Sequence, residues 1–274
     1  MRAGGRRRAA AVARLCAAVA GVLALVLHLD YSLGSGGSAF ANFFSYFTMQ
    51  SAFIGVFVWT AGGVISLRRP TDPRWLVAWR LLATTYQVVS GIVYTIIVLE
   101  ATGRGLSIQV PPSSQVLHYW MPAYALLDWL FFPGRGRVSW RILRVALVFP
   151  LLWGGFTMIR GAAVGWYPYF FLDPYQVSGP VEFTIYSVIV LSFILVMTVA
   201  LTAASRRLPR PSWEGGDDGP HAAIWSAEDV ASITPTSGGE ERLETRSSPH
   251  DDLVVGELGE GERTLTADHP HEHR

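Results

Sequence analysis

Thr48 and His118 are the two side chains in this sequence that could form a reacting pair. A threonine hydroxyl is a poor nucleophile until a base takes its proton, and an imidazole kept neutral by burial can act as that base. His118 opens an apolar stretch in which Pro122 follows four residues later. Proline has no N–H to give to the carbonyl four residues back, so the helix is expected to kink there and leave an acceptor free beside the imidazole. Asn42 and Ser45 lie just before Thr48, while Asp30, Glu182 and tyrosines such as Tyr94 are candidates to orient His118. The same residues fit a quieter arrangement, with the threonine bonded to its own helix backbone and the histidine to a tyrosine or a carbonyl. Both arrangements stay open at the level of sequence. Arg80 and Asp128 are a separate pair, expected to form a structural ion pair between neighbouring helices, with nothing else polar gathered around them.

The elements that must hold these residues are membrane helices. Half of the residues are hydrophobic and only 16% are charged, and the apolar residues fall in long runs. A span needs about 20 mostly apolar residues, and six windows qualify, roughly 10–29, 40–66, 76–99, 114–132, 142–160 and 180–203. The expected fold is all-α: a polytopic six-span domain over residues 1–205, followed by a disordered acidic tail over 206–274. Every basic side chain is arginine, with 15 Arg against 6 acids in residues 1–205 and 7 against 15 in the rest. The arginines cluster before the first window and after the second, fourth and sixth, which predicts a multi-pass plasma-membrane protein with both termini in the cytoplasm. An alternative reading takes Arg6 to Arg8, the apolar run and Ala39-Phe40-Ala41 as a cleavable signal peptide, which would remove His28 and Asp30 from any site.

Three windows have a directed face. In the second, Ala41, Ser45, Thr48, Ala52 and Gly55 recur at steps of four and three and leave a small-residue stripe for close packing. In the third, Arg80, Thr84, Gln87, Gly91 and Tyr94 make the most polar face, and therefore an interior one. The fourth carries His118 and Pro122. At about 1.5 Å per residue, Thr48 is expected about 12 Å and His118 about 6 Å below the starts of their windows, both in the outer half. Contact between them is allowed by these depths and not required.

The segment Asn42-Phe-Phe-Ser-Tyr-Phe-Thr-Met-Gln-Ser51, then His118-Tyr-Trp-Met-Pro-Ala-Tyr-Ala-Leu-Leu-Asp-Trp-Leu-Phe-Phe132, then Tyr167-Pro-Tyr-Phe-Phe-Leu-Asp-Pro174 occur in order along the chain. Over residues 15–200 the sequence resembles a family of bacterial six-span integral membrane proteins. That family is in turn distantly similar to the androgen-induced-protein family of animals, multispan hydrolases of fatty-acid esters of hydroxy fatty acids. The resemblance implies that Thr48 and His118 correspond to that family's catalytic Thr and His, and that the substrate is a lipid ester. A rival expectation is a non-catalytic membrane protein that binds a lipid or small ligand, or that presents its tail to a cytoplasmic partner. A third is ligation of one haem by His28 and His118.

Other classes find no support in the residues. There is no phosphate-binding glycine loop, no His-Glu-x-x-His helix and no basic soluble surface for nucleic acid. With one cysteine, Cys16, no cysteine-based metal cluster can form. No cofactor and no metal are expected. The terminal run Asp268-His-Pro-His-Glu-His-Arg274 reads as a solvated polar end.

Overall fold

The computed structural model describes residues 3–34, 40–105 and 110–208, and these are helices joined by turns. The expected tail lies, beyond Leu208, outside the described residues. The elements in chain order are α1 (Ala3–Gly34), α2 (Phe40–Phe43), α3 (Phe47–Arg68) and α4 (Arg74–Gly103). Then come α5 (Pro112–Gln115), a π-helical turn (Val116–Trp120), α6 (Met121–Phe131), α7 (Ile142–Val164), a short 3-10 turn (Phe170–Leu172) and α8 (Pro180–Arg207). Five helices, α1, α3, α4, α7 and α8, are long and apolar enough to cross a membrane. The division expected after residue 205 falls inside α8, which continues to Arg207.

Two windows are built differently from the expectation. The second, read as one helix over 40–66, is two: a turn at Phe44 to Tyr46 separates α2 from α3. Ser45 is pulled out of helical pairing because its carbonyl accepts from the Trp153 indole N–H at 3.0 Å. Thr48 therefore sits in the first turn of α3, not about 12 Å below the start of a helix as the sequence suggested. The fourth window runs on from Pro112 to Phe131, but in three pieces. Its π turn widens the helix just ahead of Pro122, where the regular hydrogen bond is lost in any case.

α4 is the central element. Of its apolar window 56% is buried, against 22% for α7 and for α8. Its predicted polar face does point inward: Arg80, Thr84 and Gln87 are buried. Gly55 of α3 admits Gln87, since a Cβ at that glycine would lie 1.8 Å from the amide nitrogen. The other close approach made by α3 is to α1, where a Cβ on Gly63 would stand 3.1 Å from the Ala11 carbonyl oxygen. Tyr86 ties α4 to α7 through its hydroxyl, which donates to the Ala146 carbonyl at 3.1 Å. Trp129 ties α6 to α8 through its indole N–H, which donates to the Leu201 carbonyl at 3.3 Å.

The polar cluster at one end of the bundle is larger than the expected Arg80–Asp128 pair. Arg80 does meet Asp128, Nη2 to Oδ2 at 2.9 Å, but Arg14 of α1 donates to the other carboxylate oxygen at 2.7 Å. Asp72, in the turn between α3 and α4, bridges Arg80 and Arg7. Arg14 also donates to the Ser66 hydroxyl at 2.8 Å and to the Pro133 carbonyl at 2.8 Å. Arg14 is 0% exposed and Asp128 2% exposed, so neither charge is served by water. The expectation that nothing else polar gathers here is thus corrected. A charged residue inside the first apolar run was the signal, since such a group must find a partner at depth.

Removing one member of this cluster leaves the others buried and uncompensated. Asp128→Ala should destabilise the protein by about 3–5 kcal/mol, the usual cost of breaking a buried pair from one side. Thermal unfolding in detergent, compared with an exposed control such as Glu100→Ala, measures it.

Candidate functional site

A cavity of about 610 Å³ lies among the helices and carries both members of the expected pair in its wall. Its volume falls within the roughly 300–1,000 Å³ of sites that enclose a small-molecule ligand. Most of the wall is aliphatic or aromatic. The polar groups Thr48, Ser90, Tyr94, Ser114, His118 and His28 all belong to it.

Thr48 is held by two hydroxyl groups. Its Oγ1 lies 2.6 Å from the Ser90 hydroxyl on α4, with either oxygen able to donate. Its other neighbour is the phenol of Tyr169, which faces the Thr48 hydroxyl and the backbone N–H groups of Phe47 and Thr48. Those N–H groups belong to the first turn of α3 and have no partner within the helix. Tyr46, at the N-cap position, supplies no side-chain bond, so Tyr169 takes that role from a distant loop. Burial pushes the Tyr169 phenol up to about 12, so it stays a neutral O–H donor at physiological pH.

The loop that delivers Tyr169 is fixed by glycine and aromatic contacts. Gly165, with φ of 71°, ends α7 in the left-handed conformation that glycine adopts without strain. Beyond it Tyr167 lies over Gly161, so closely that a Cβ there would come within 2.0 Å of the ring. Tyr169 then stands edge-on to Tyr46 and stacks on Phe171. Tyr167, Tyr169 and Phe171 all come from the Tyr167–Pro174 motif.

His118 is oriented by its own segment and by α4. Its Nδ1 lies 2.9 Å from the Ser114 carbonyl oxygen and 3.2 Å from the Ser114 hydroxyl. A contact of that length to a carbonyl places the proton on Nδ1 and leaves Nε2 as the basic nitrogen. The ring stacks on Tyr94, centroids 3.7 Å apart and planes at 16°. Pro122, four residues on, has no N–H to offer the His118 carbonyl oxygen. That oxygen is approached by Gly91 of α4, where a Cβ would stand 2.5 Å away. Only a bare Cα lets the widened turn sit this close.

The two candidates are neighbours without being bonded. Thr48 touches α4 at Ser90 and His118 touches it at Tyr94. Those two positions are four residues apart, hence about 5–6 Å between Cβ atoms on one face. Among the described hydrogen bonds none joins Thr48 to His118.

The remaining expected residues lie elsewhere. Asn42 accepts from Arg160 through its amide oxygen at 2.7 Å, and the Ser45 hydroxyl donates to the Ala41 carbonyl at 2.9 Å. Glu182 accepts from the Ser178 hydroxyl and N–H at the start of α8, and Asp30 is exposed. None of these orients His118. That role belongs to Ser114, four residues earlier and so above the histidine on the same helical face. Ser90, by the same spacing before Tyr94, was also legible as a neighbour of the site. Tyr169 had no local signal beyond its place in a motif. His28 is in the wall and its Nδ1 lies 3.2 Å from the Ser113 hydroxyl. Among the described residues no group of three or more His, Cys, Asp or Glu is placed to hold a metal ion.

No protein-family profile, curated protein or solved structure matches the chain.

The contact between Gly91 and the His118 carbonyl gives a direct test of the geometry. Gly91→Ala should cost about 1–3 kcal/mol by overpacking against a backbone atom that cannot swing away. Gly103→Ala, where a Cβ meets no atom within 4 Å, should change stability by less than about 0.5 kcal/mol. Melting curves of the two variants in the same detergent make the comparison.

Proposed function

We propose that this chain is a six-span protein of the plasma membrane, both termini cytoplasmic, that hydrolyses an acyl ester of a membrane lipid with Thr48 as nucleophile. The sixth crossing in this reading is the run from Pro112 to Phe131, whose 20 residues reach about 30 Å at 1.5 Å per residue. The side assignment follows the arginine-rich connections. The observation that carries the proposal is that Thr48 and His118, on different helices, line one mainly apolar cavity together with a neutral phenol.

The chemistry follows from the hydrogen-bond pattern. Thr48 Oγ1 attacks the ester carbonyl carbon while its proton leaves through the Ser90 hydroxyl, 2.6 Å away. A water molecule carries the proton on from Ser90 to Nε2 of His118, whose ring stacks on Tyr94, one helical turn along α4 from Ser90. The Tyr169 O–H donates to the oxygen that becomes negative in the tetrahedral intermediate. Collapse breaks the ester C–O bond, and His118 gives its proton to the departing alcohol. Water then repeats the sequence on the acyl-threonine, with His118 as base, and releases the fatty acid.

A second reading, a protein that binds a lipid without reacting with it, is favoured by one observation. The Thr48 hydroxyl is already engaged by Ser90 and faces Tyr169, as a buried hydroxyl with a purely structural role would be.

Covalent labelling by a fluorophosphonate probe in membranes separates the two. The hydrolase reading expects the wild type to label, Thr48→Ala to lose the signal, and His118→Ala to label more slowly by about 10²–10⁴-fold, the usual contribution of a general base. Labelling that survives in Thr48→Ala, or none in any of the proteins while a lipid co-purifies with all of them, gives the binding reading instead.

A further inference from the structure

The wall of the cavity does not close at α7. Leu151 and Gly155 belong to the wall, yet both are exposed on the outer surface of the bundle, Leu151 to 56%. Between them on the same helix, Gly154 also lines the space, and a Cβ added at Gly154 or Gly155 would meet no atom within 4 Å. Opposite, α8 contributes Phe183, Ser187, Val190, Leu191 and Ile194 to the same wall. These recur at steps of four, three, one and three, so one mainly apolar stripe of α8 faces the cavity along about three turns. The inner half of α7 is packed normally, with Ile142 and Ala146 buried and Tyr86 bonded to the Ala146 carbonyl. In the outer half of the helix only Thr157 and Gly161, apart from Pro150 at its middle, are buried. Along this stretch the side chains missing at Gly154 and Gly155 leave open space in the cavity wall.

We propose that this α7–α8 seam is a lateral portal through which one acyl chain of a bilayer lipid enters the cavity, passing over Gly154 and Gly155 and lying along the α8 stripe. The inference rests on the membrane placement proposed above. The ligand class follows from the position of the opening, which on that placement faces hydrocarbon and not water, and from the stripe, which carries one hydroxyl among five residues. An acyl chain threaded this way brings the ester at its head toward the end of the cavity where Thr48, Ser90 and His118 are found. A water-soluble ester is poorly served by such a path, because the seam lies between two spanning helices and offers a hydrated molecule a single hydroxyl, that of Ser187.

The test uses the full chain in liposomes of phosphatidylcholine that carries a photoreactive diazirine near the end of one acyl chain. After irradiation, cross-linked residues are mapped by mass spectrometry. In the wild type, cross-links are expected at Ser187, Val190 or Leu191 inside the seam as well as at Leu152 and Ile159, which face lipid directly. Gly155→Trp should lower the cross-links inside the seam by about tenfold, equivalent to about 1.4 kcal/mol of lost binding, and leave those at Leu152 and Ile159 unchanged. Gly154→Leu should give a smaller loss of the same kind. Retained labelling at the two lipid-facing residues shows that each variant is folded and inserted. Wild-type cross-links confined to Leu152 and Ile159, or cross-links in the seam that are indifferent to both substitutions, would overturn the portal. Failure of the hydrolase reading looks different: the seam cross-links persist in Thr48→Ala and in the wild type, while no fluorophosphonate attaches to Thr48.

Discussion

The structure depends on charges buried at one end of the helix bundle. Arg14, Arg80, Asp72 and Asp128 come from α1, α4, the α3–α4 turn and α6, and Ser66 and Pro133 complete their hydrogen bonds from α3 and from the segment after α6. Nonpolar helices in lipid have no hydrophobic force to choose among partners, and small-residue packing alone is tolerant of sliding and rotation. A guanidinium that must reach one carboxylate removes that freedom. Once Arg14 meets Asp128, α1 is fixed against α6 in depth and in rotation. Once Arg80 meets both aspartates, α4 is fixed between them. The cluster with Arg7 holds three arginines against two aspartates. The surplus is offset by carbonyl oxygens, those of Asp128 and Pro133 at the end of α6, where the helix dipole is negative.

That anchoring explains how α4 can serve two ends of the molecule with one face. Arg80 is held in the charge cluster, and Tyr94, fourteen positions on in the sequence, is stacked on His118 in the cavity wall. At 1.5 Å per residue the separation is about 21 Å. Between them Gln87 fills the notch at Gly55 and Gly91 admits the His118 carbonyl. The positions of Ser90 and Tyr94, and with them the distance between Thr48 and His118, follow from where the arginine is held. The loop bearing Tyr169 adds the remaining wall and caps α3 from outside the bundle.

Much of this was legible in the sequence because helices able to cross a membrane announce themselves by length and apolar composition. The inward face of α4 was legible because polar residues repeating at helical steps have nowhere else to go. The disturbance at Pro122 was legible because the missing N–H is a property of the residue. The break between α2 and α3 was not, since it is caused by an indole from α7 competing for the Ser45 carbonyl. No local pattern in Asn42 to Thr48 records that bond. The charge cluster was half legible: Arg80 and Asp128 advertised themselves, while Arg14, a charge inside the first apolar run, gave no indication of which partner it meets. The cavity was out of reach, because a space is defined by residues that are absent from it.

Ser113 and Ser114 are adjacent in the chain, and each holds a different imidazole, His28 from α1 and His118 from the turn that follows. Two consecutive residues near a helix start move together. Any rearrangement that lifts or tilts this short segment therefore acts on the hydrogen bonds of both rings at once.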